Sequence, residues 1–133
     1  AIRDIISPCP TPSSRIPAKT AVNAILASGG VPVWAHPLGG EGEKEANLEQ
    51  FGKMLIELIG YGIMGLECWY SRYPAPVCER LAVTAQDHGL LISGGSDYHG
   101  TNKNIALGTL NDDHRMVSTE QLTILEKLLD IRN

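Results

Sequence analysis

Three short apolar segments, separated by stretches of helical periodicity, constrain the fold of this chain more than any other feature. The segments are Val31–Ala35, Met64–Trp69 and Leu90–Ser93. Each is short and continuously apolar, which is typical of strands buried on both faces of a sheet. Strands joined by helices run parallel, because each crossover returns the chain to the same end of the sheet. The sequence therefore predicts an α/β fold in which parallel strands alternate with helices.

Four helices are predicted around these strands. The first, Ala18–Ser28, carries apolar residues three and four positions apart and ends at a pair of glycines. The other three begin at recognisable start signals, namely Asn47 with Gln50 as a capping box, the prolines Pro74 and Pro76, and Ser118 with Gln121 as a second capping box.

The chain has 133 residues, which suits one domain. Residues 1–17 contain four prolines and no clear period, and they predict an irregular connection. Residues 18–110 hold the strand and helix units, and residues 111–133 are expected to form a loop and a C-terminal helix. A closed α/β barrel takes about 200–250 residues or more, so this chain has about half the length that a barrel needs.

Composition excludes several classes of protein. Eleven Lys and Arg against fifteen Asp and Glu give a net charge of −4, which argues against binding to duplex DNA. No apolar run is long enough for a membrane helix. The odd number of cysteines and the lack of a signal-peptide pattern favour a reducing, cytoplasmic location. The first residue is Ala1 rather than Met, so we also expect that the sequence could be a cut product of a longer chain.

Polar residues follow two of the predicted strands at the point where each strand ends. His36 comes directly after the first strand, and Asp97 and His99 come directly after the third. The carboxyl ends of parallel strands share one edge of a sheet, so we expect these three side chains to converge. Carboxylate and imidazole ligands together suit Zn, Mn or Fe(II). Taken singly, the His-Pro pattern is more often a turn or a packed histidine than a metal ligand, and the Asp-x-His pattern is also weak evidence for one.

Three segments in order along the chain carry a resemblance to a known family. They are Gly29–Pro37 (GGVPVWAHP), Gly65-Leu66-Glu67, and Gly94–Gly100 (GGSDYHG) with Ile105–Gly108 (IALG) behind it. Together they resemble motifs of the polymerase and histidinol phosphatase (PHP) superfamily over residues 15–110. The nearest branch is that of small PHP phosphoesterases that act on nucleotides or nucleic-acid ends.

The resemblance implies a distorted (β/α)7 TIM-like barrel with two or three divalent metal ions, Mn, Zn or Fe, at its carboxyl rim. It implies hydrolysis of a phosphate ester in a phosphorylated small molecule, nucleotide or oligonucleotide. It assigns His36, Asp97 and His99 as metal ligands. Arg15 and Glu67 match family positions near the substrate, although an exposed loop arginine and a solvated or paired carboxylate are the alternatives.

The chain also departs from the family pattern. The family's first motif is an H-x-H pair, and no two of the four histidines here are spaced by two. The amino-terminal half of the barrel is missing, so we expect weak or no metal binding by this chain alone. We expect a contact with a second copy or with the missing half, to which Tyr61, Trp69 and Tyr73 contribute. Trp69, Tyr70 and Arg72 could instead border a base-stacking pocket.

Two other functions stay open at this point. One is a non-catalytic fragment or remnant that folds by association. The other is a small α/β module that binds a ligand or a protein partner at its sheet edge. An H-x-H motif encoded just before Ala1 would favour the enzyme.

Overall fold

The predicted strands form one parallel sheet in the part of the chain that the structure describes. This structure is a computed structural model, and it describes residues 15–40, 47–100, 105–113 and 116–133. Strands β1 (Val33–Trp34), β2 (Gly65–Tyr70) and β3 (Leu91–Gly95) lie in the order β1-β2-β3, and both neighbouring pairs are parallel. The α/β class with parallel strands is confirmed, and β2 is the central strand.

The helices alternate with these strands. In chain order they are α1 (Ala18–Ala27), α2 (Leu48–Tyr61), α3 (Ala75–Asp87) and α4 (Ile124–Arg132), and a short 3-10 helix covers Thr119–Gln121. The predicted capping box of α2 is confirmed, because the Asn47 side chain accepts the Gln50 N–H at 2.8 Å and Gln50 Oε1 accepts the Asn47 N–H at 3.4 Å. The helix ends at Gly62, whose φ of 105° is a left-handed conformation that glycine adopts without steric cost.

Two element boundaries differ from the sequence prediction. Strand β1 has two residues rather than five, because Pro32 has no N–H to pair and His36 turns the chain away at a φ of 30°. Ser118 and Gln121 begin a three-residue 3-10 helix and not the long helix that we predicted. Leu122 breaks the helical path with a ψ of 71°, so α4 starts only at Ile124.

The core lies around β2 and the helices that cover it. The fully buried residues of β2 are Leu66, Cys68 and Tyr70. The same buried cluster includes Cys78, Leu81 and Ala85 of α3. Trp69 and Tyr73 are also buried in this core, at 5% and 8% exposure, and Tyr61 packs against it. Little of the Trp69 and Tyr73 side chains is therefore open to another chain, and their contribution to an interface stays a prediction. Complete burial removes Tyr70 from the proposed base-stacking pocket, whereas Trp69 lines a cavity with Ala82 and Gln121.

Two further sequence predictions, on the amino-terminal segment and on membrane helices, can be compared with the structure only over the described residues. The irregular connection at residues 1–17 lies outside them except for residues 15–17. Among the described helices none is long and apolar enough to cross a bilayer.

Candidate metal and phosphate site

His36 stands at the carboxyl end of β1 in a backbone conformation that few non-glycine residues adopt. Its φ is 30°, and its carbonyl accepts the Gly39 N–H at 2.9 Å, so residues 36–39 form a tight turn. The His36 N–H donates to Glu67 Oε2 at 2.6 Å. The imidazole lies against the backbone of Gly40, where an added Cβ would stand 3.0 Å from Nδ1. The ring is thus held on one side by a glycine that leaves room for it.

Glu67 lies between the His36 turn and β3. One carboxylate oxygen accepts the His36 N–H, and the other faces Gly95, where an added Cβ would come within 2.6 Å of Oε1. Burial raises the pKa of the Glu67 carboxyl, the His36 N–H and ring lower it, and the charge of Asp97 raises it further. Glu67 therefore interacts electrostatically with two of the three predicted ligands, His36 and Asp97.

Asp97 follows β3 with a φ of 52°, the second positive φ among the described non-glycine residues. Its Oδ2 accepts the Tyr70 hydroxyl at 3.2 Å. The Tyr70 ring lies 5.8 Å, centroid to centroid, from the His36 imidazole. Tyr70 thus contacts His36 with its ring and Asp97 with its hydroxyl, so one tyrosine joins the two strand ends.

His99 is more exposed, and its hydrogen bond fixes its tautomer. Nδ1 lies 2.7 Å from the Asp97 carbonyl oxygen and 3.4 Å from Asp97 Oδ1. A carbonyl oxygen can only accept, so Nδ1 carries a proton, and in the neutral form of the ring the lone pair is at Nε2. This is the arrangement by which proteins commonly orient a metal-binding histidine.

Sequence reasoning missed the hydroxyl groups in the turn that follows β2. Tyr73 accepts the Leu38 N–H at 2.9 Å and donates to the Gly39 carbonyl at 3.0 Å. Ser71 Oγ donates to the Ser96 carbonyl at 2.9 Å. The available signal was the position of this Tyr-Ser-Arg-Tyr turn directly after the central strand, but its contacts depend on tertiary packing that no local pattern encodes.

The structure thus brings His36, Glu67 and Asp97 together at the carboxyl edge of the sheet, with His99 against Asp97. Arg15 is exposed before α1, and its role stays a prediction. The donor types, imidazole nitrogen and carboxylate oxygen, fit Mn, Zn or Fe(II). Within the described ranges, however, no three His, Cys, Asp or Glu side chains are arranged to hold an ion by themselves. A metal here would need ligands from outside these residues.

Comparison with known proteins extends this description. No family model matches the chain. Over 85 residues, 64% of its length, it is 31% identical to a phosphoribosyl 1,2-cyclic phosphate 1,2-diphosphodiesterase from Eggerthella lenta, and the match covers 29% of that protein. The chain therefore spans less than a third of the length of the curated relative it matches.

Two solved structures are similar to the fold. A protein from Bifidobacterium adolescentis assigned as a metal-dependent phosphoesterase is 31% identical with a TM-score of 0.57, and the alignment covers 92% of this chain and 42% of that one. An amidohydrolase from Chromobacterium violaceum, solved with sulfate and no metal, has a TM-score of 0.64 at 21% identity over 87% of this chain and 37% of that one. The second likeness concerns the fold alone. The first, with the Eggerthella match, supports the resemblance to PHP-type phosphoesterases, of which this sheet corresponds to a part.

Proposed function

We propose that this chain provides part of the active site of a metal-dependent phosphoesterase. The reaction is hydrolysis of a phosphate ester in a nucleotide, an oligonucleotide end or another phosphorylated small molecule, and it requires completion by the amino-terminal half of the domain. The observation that carries the proposal is the contact of Tyr70 with both His36 and Asp97, since it joins two ligand-type residues from different strands.

Each residue has a defined part in this proposal. His36 and His99 would donate imidazole nitrogens to divalent ions, and Asp97 would donate a carboxylate oxygen. Glu67 holds the His36 backbone and keeps a second carboxylate at the same edge, where it would contact the ions or the substrate. Divalent ions at such a site supply Lewis acidity toward phosphoryl oxygens and lower the pKa of water. Arg15 would bind the phosphate as a bidentate donor.

The substrate class follows from the same considerations. The Eggerthella relative is named for action on a cyclic phosphodiester of a phosphoribosyl group, so cyclic ribose phosphates belong in the substrate screen beside nucleotides. Metal analysis of the purified protein distinguishes Mn, Zn and Fe.

We expect turnover to depend on residues outside this chain, because the described part of the site is incomplete. The described residues bring together too few ligands for an ion, and catalytic metal sites usually use three protein ligands or more. The same observation favours the alternative that the chain by itself is a non-catalytic fragment.

The test compares this chain with the product of the whole reading frame that contains it. Phosphate release from nucleotides and cyclic ribose phosphates is measured with added Mn²⁺ or Zn²⁺ and after EDTA treatment. We expect metal-dependent turnover of the longer product, and a loss of about 100-fold or more in His36→Ala or Asp97→Ala. Turnover that is insensitive to EDTA, or that both variants retain, would contradict the proposal. A longer product without activity would favour the non-catalytic alternative.

A further inference from the structure

The turn that follows the central strand reaches both loops that carry the candidate ligands. Tyr70 and Tyr73 begin and end this turn, and the Tyr73 N–H donates to the Tyr70 carbonyl at 3.0 Å. Their rings meet edge to face with centroids 4.8 Å apart. Tyr70 is fully buried and Tyr73 is 8% exposed, so neither ring is free to swing out to solvent. The two hydroxyls are therefore presented from one rigid pair of rings.

The Tyr73 hydroxyl forms hydrogen bonds with the backbone of the turn that His36 begins. It uses both of its hydrogen-bonding capacities there, accepting from the Leu38 N–H and donating to the Gly39 carbonyl. These two backbone groups lie at the tip of the turn that His36 begins, and the next residue, Gly40, supports the imidazole. One hydroxyl thus fixes the turn between His36 and Gly40, the residue against which the ring lies.

Tyr70 and Ser71, at the start of the same turn, form hydrogen bonds with the loop that contains Asp97. The Tyr70 hydroxyl donates to Asp97 Oδ2, and Ser71 Oγ donates to the carbonyl of Ser96, the residue before Asp97. Ser71 and Ser96 are both buried, at 6% exposure each, so water competes little for this bond. Since His36 and Asp97 both have positive φ, their loops need such bonds to keep conformations that cost free energy.

We infer that Tyr70 and Tyr73 are positioning residues, which hold the His36 and Asp97 loops in their positive-φ conformations before any metal binds. The use of this geometry for metal and phosphate rests on the proposed function, whereas the positioning itself is a property of the metal-free chain. Binding groups that are held in place beforehand lose little entropy when the ligand arrives, and this raises affinity.

The experiment compares Tyr73→Phe and Tyr70→Phe with Tyr61→Phe in the full 133-residue chain. Phenylalanine keeps the ring and removes only the hydroxyl. Tyr61 is the matched control, because its hydroxyl also bonds a side chain, that of Glu57, but on α2. Two metal-free readouts are recorded by NMR, namely hydrogen exchange of the Leu38 amide relative to the core amide of Leu66, and the His36 ring shift relative to that of exposed His88.

We expect Tyr73→Phe to speed Leu38 exchange about 5- to 30-fold relative to Leu66 and to shift the His36 ring signal while leaving His88 unchanged. Tyr70→Phe should shift the signals of Asp97 and His36, and Tyr61→Phe should change none of these. A merely stabilising role would speed Leu38 and Leu66 exchange alike and would overturn the inference, as would unchanged Leu38 exchange. If Tyr73→Phe does not fold, the Asp97 and His36 shifts in Tyr70→Phe decide the question.

Mn²⁺ alone then separates this inference from the proposed function. Paramagnetic broadening of the His36 and His99 ring signals in the product of the whole reading frame reports binding near them, and we expect the concentration needed for half-broadening to rise about 5-fold or more in Tyr73→Phe. If Mn²⁺ broadens neither signal in that longer product, the metal site of the proposed function is contradicted. The metal-free readouts still confirm or overturn the positioning.

Discussion

At the scale of single residues, space decides what the candidate site tolerates. Gly95 has an ordinary backbone conformation but faces Glu67 Oε1, whereas Gly52, in the middle of α2, has nothing within 4 Å of an added Cβ. Gly52 therefore serves as a control position, at which an added Cβ meets no neighbouring atom. The Glu67 carboxylate cannot simply move away from Gly95, because its other oxygen holds the His36 N–H.

We predict that Gly95→Ala destabilises the chain by about 1–3 kcal/mol, as overpacking does, through displacement of Glu67 from the His36 N–H. Gly52→Ala should instead stabilise it by up to about 1 kcal/mol, because alanine favours a helix interior. Urea unfolding followed by circular dichroism measures both. Equal effects of the two substitutions would mean that the Glu67 contact does not constrain position 95.

A second prediction concerns the thiols. Burial raises the pKa of Cys68 to about 12 and also raises that of Cys78. The thiolate is the reactive form, so a raised pKa lowers reactivity at pH 8 and lets it increase only as the pH approaches the raised value. In a Cys9→Ser variant we expect no measurable reaction with a disulfide reagent in native buffer at pH 8. Two thiols should react in urea, and prompt native reaction of two thiols would contradict the burial.

The positions of His36 and Asp97 could be predicted from sequence, since both follow strands and parallel strands end at one edge. The hydroxyl contacts of Tyr70 and Tyr73 could not, because they join residues 27 and 35 positions apart in the chain. Nothing in the local sequence distinguishes a tyrosine that bonds a distant loop from one that simply fills the core. The buried state of Trp69, which we had expected at an interface, escaped prediction for the same reason.

At the scale of elements, apolar spacing located the α-helices and strands of the described residues, but backbone chemistry set their ends. Pro32 shortens β1 as a strand, yet its carbonyl still accepts the N–H groups of Met64 and Gly65 at 2.9 and 3.2 Å. The capping box at Ser118 starts a 3-10 helix and not an α-helix. Two residues beyond that helix, Thr123 accepts the Ile92 N–H of β3 at 2.8 Å. A start signal identifies where a helix begins, whereas tertiary contacts decide how far it continues.

The capping box of α2 provides a test at this scale. We predict that Asn47→Ala lowers the free energy of unfolding by about 0.5–2 kcal/mol, because it removes the acceptor for the Gln50 N–H at the start of a 14-residue helix. Ser118→Ala, at the start of a three-residue 3-10 helix, should cost less. Thermal unfolding of the two variants compares them directly. A larger loss at Ser118 would show that the C-terminal segment contributes more to stability than its short helix suggests.

At the scale of the whole molecule, the described sheet has two outer strands that differ in protection. The outer side of β3 is partly covered, since Thr123 accepts the Ile92 N–H. Strand β1 is the other outer strand, with β2 paired to one side of it. Large apolar side chains are also exposed among the described residues, including Ile56 at 62% and Leu129 at 58%. Unpaired strand edges and exposed apolar surface favour association with another chain.

We therefore predict that the chain associates, either with a second copy or with the segment that completes the domain. The solved structures that it resembles are more than twice its length, at 42% and 37% coverage. Light scattering from about 1 to about 100 μM should give a mass that rises above 14.4 kDa with concentration. Adding the missing segment in trans should replace that self-association with a one-to-one complex, because both would compete for the same edge. A constant mass of 14.4 kDa that the added segment does not change would contradict the prediction, since the chain would then cover its own edges.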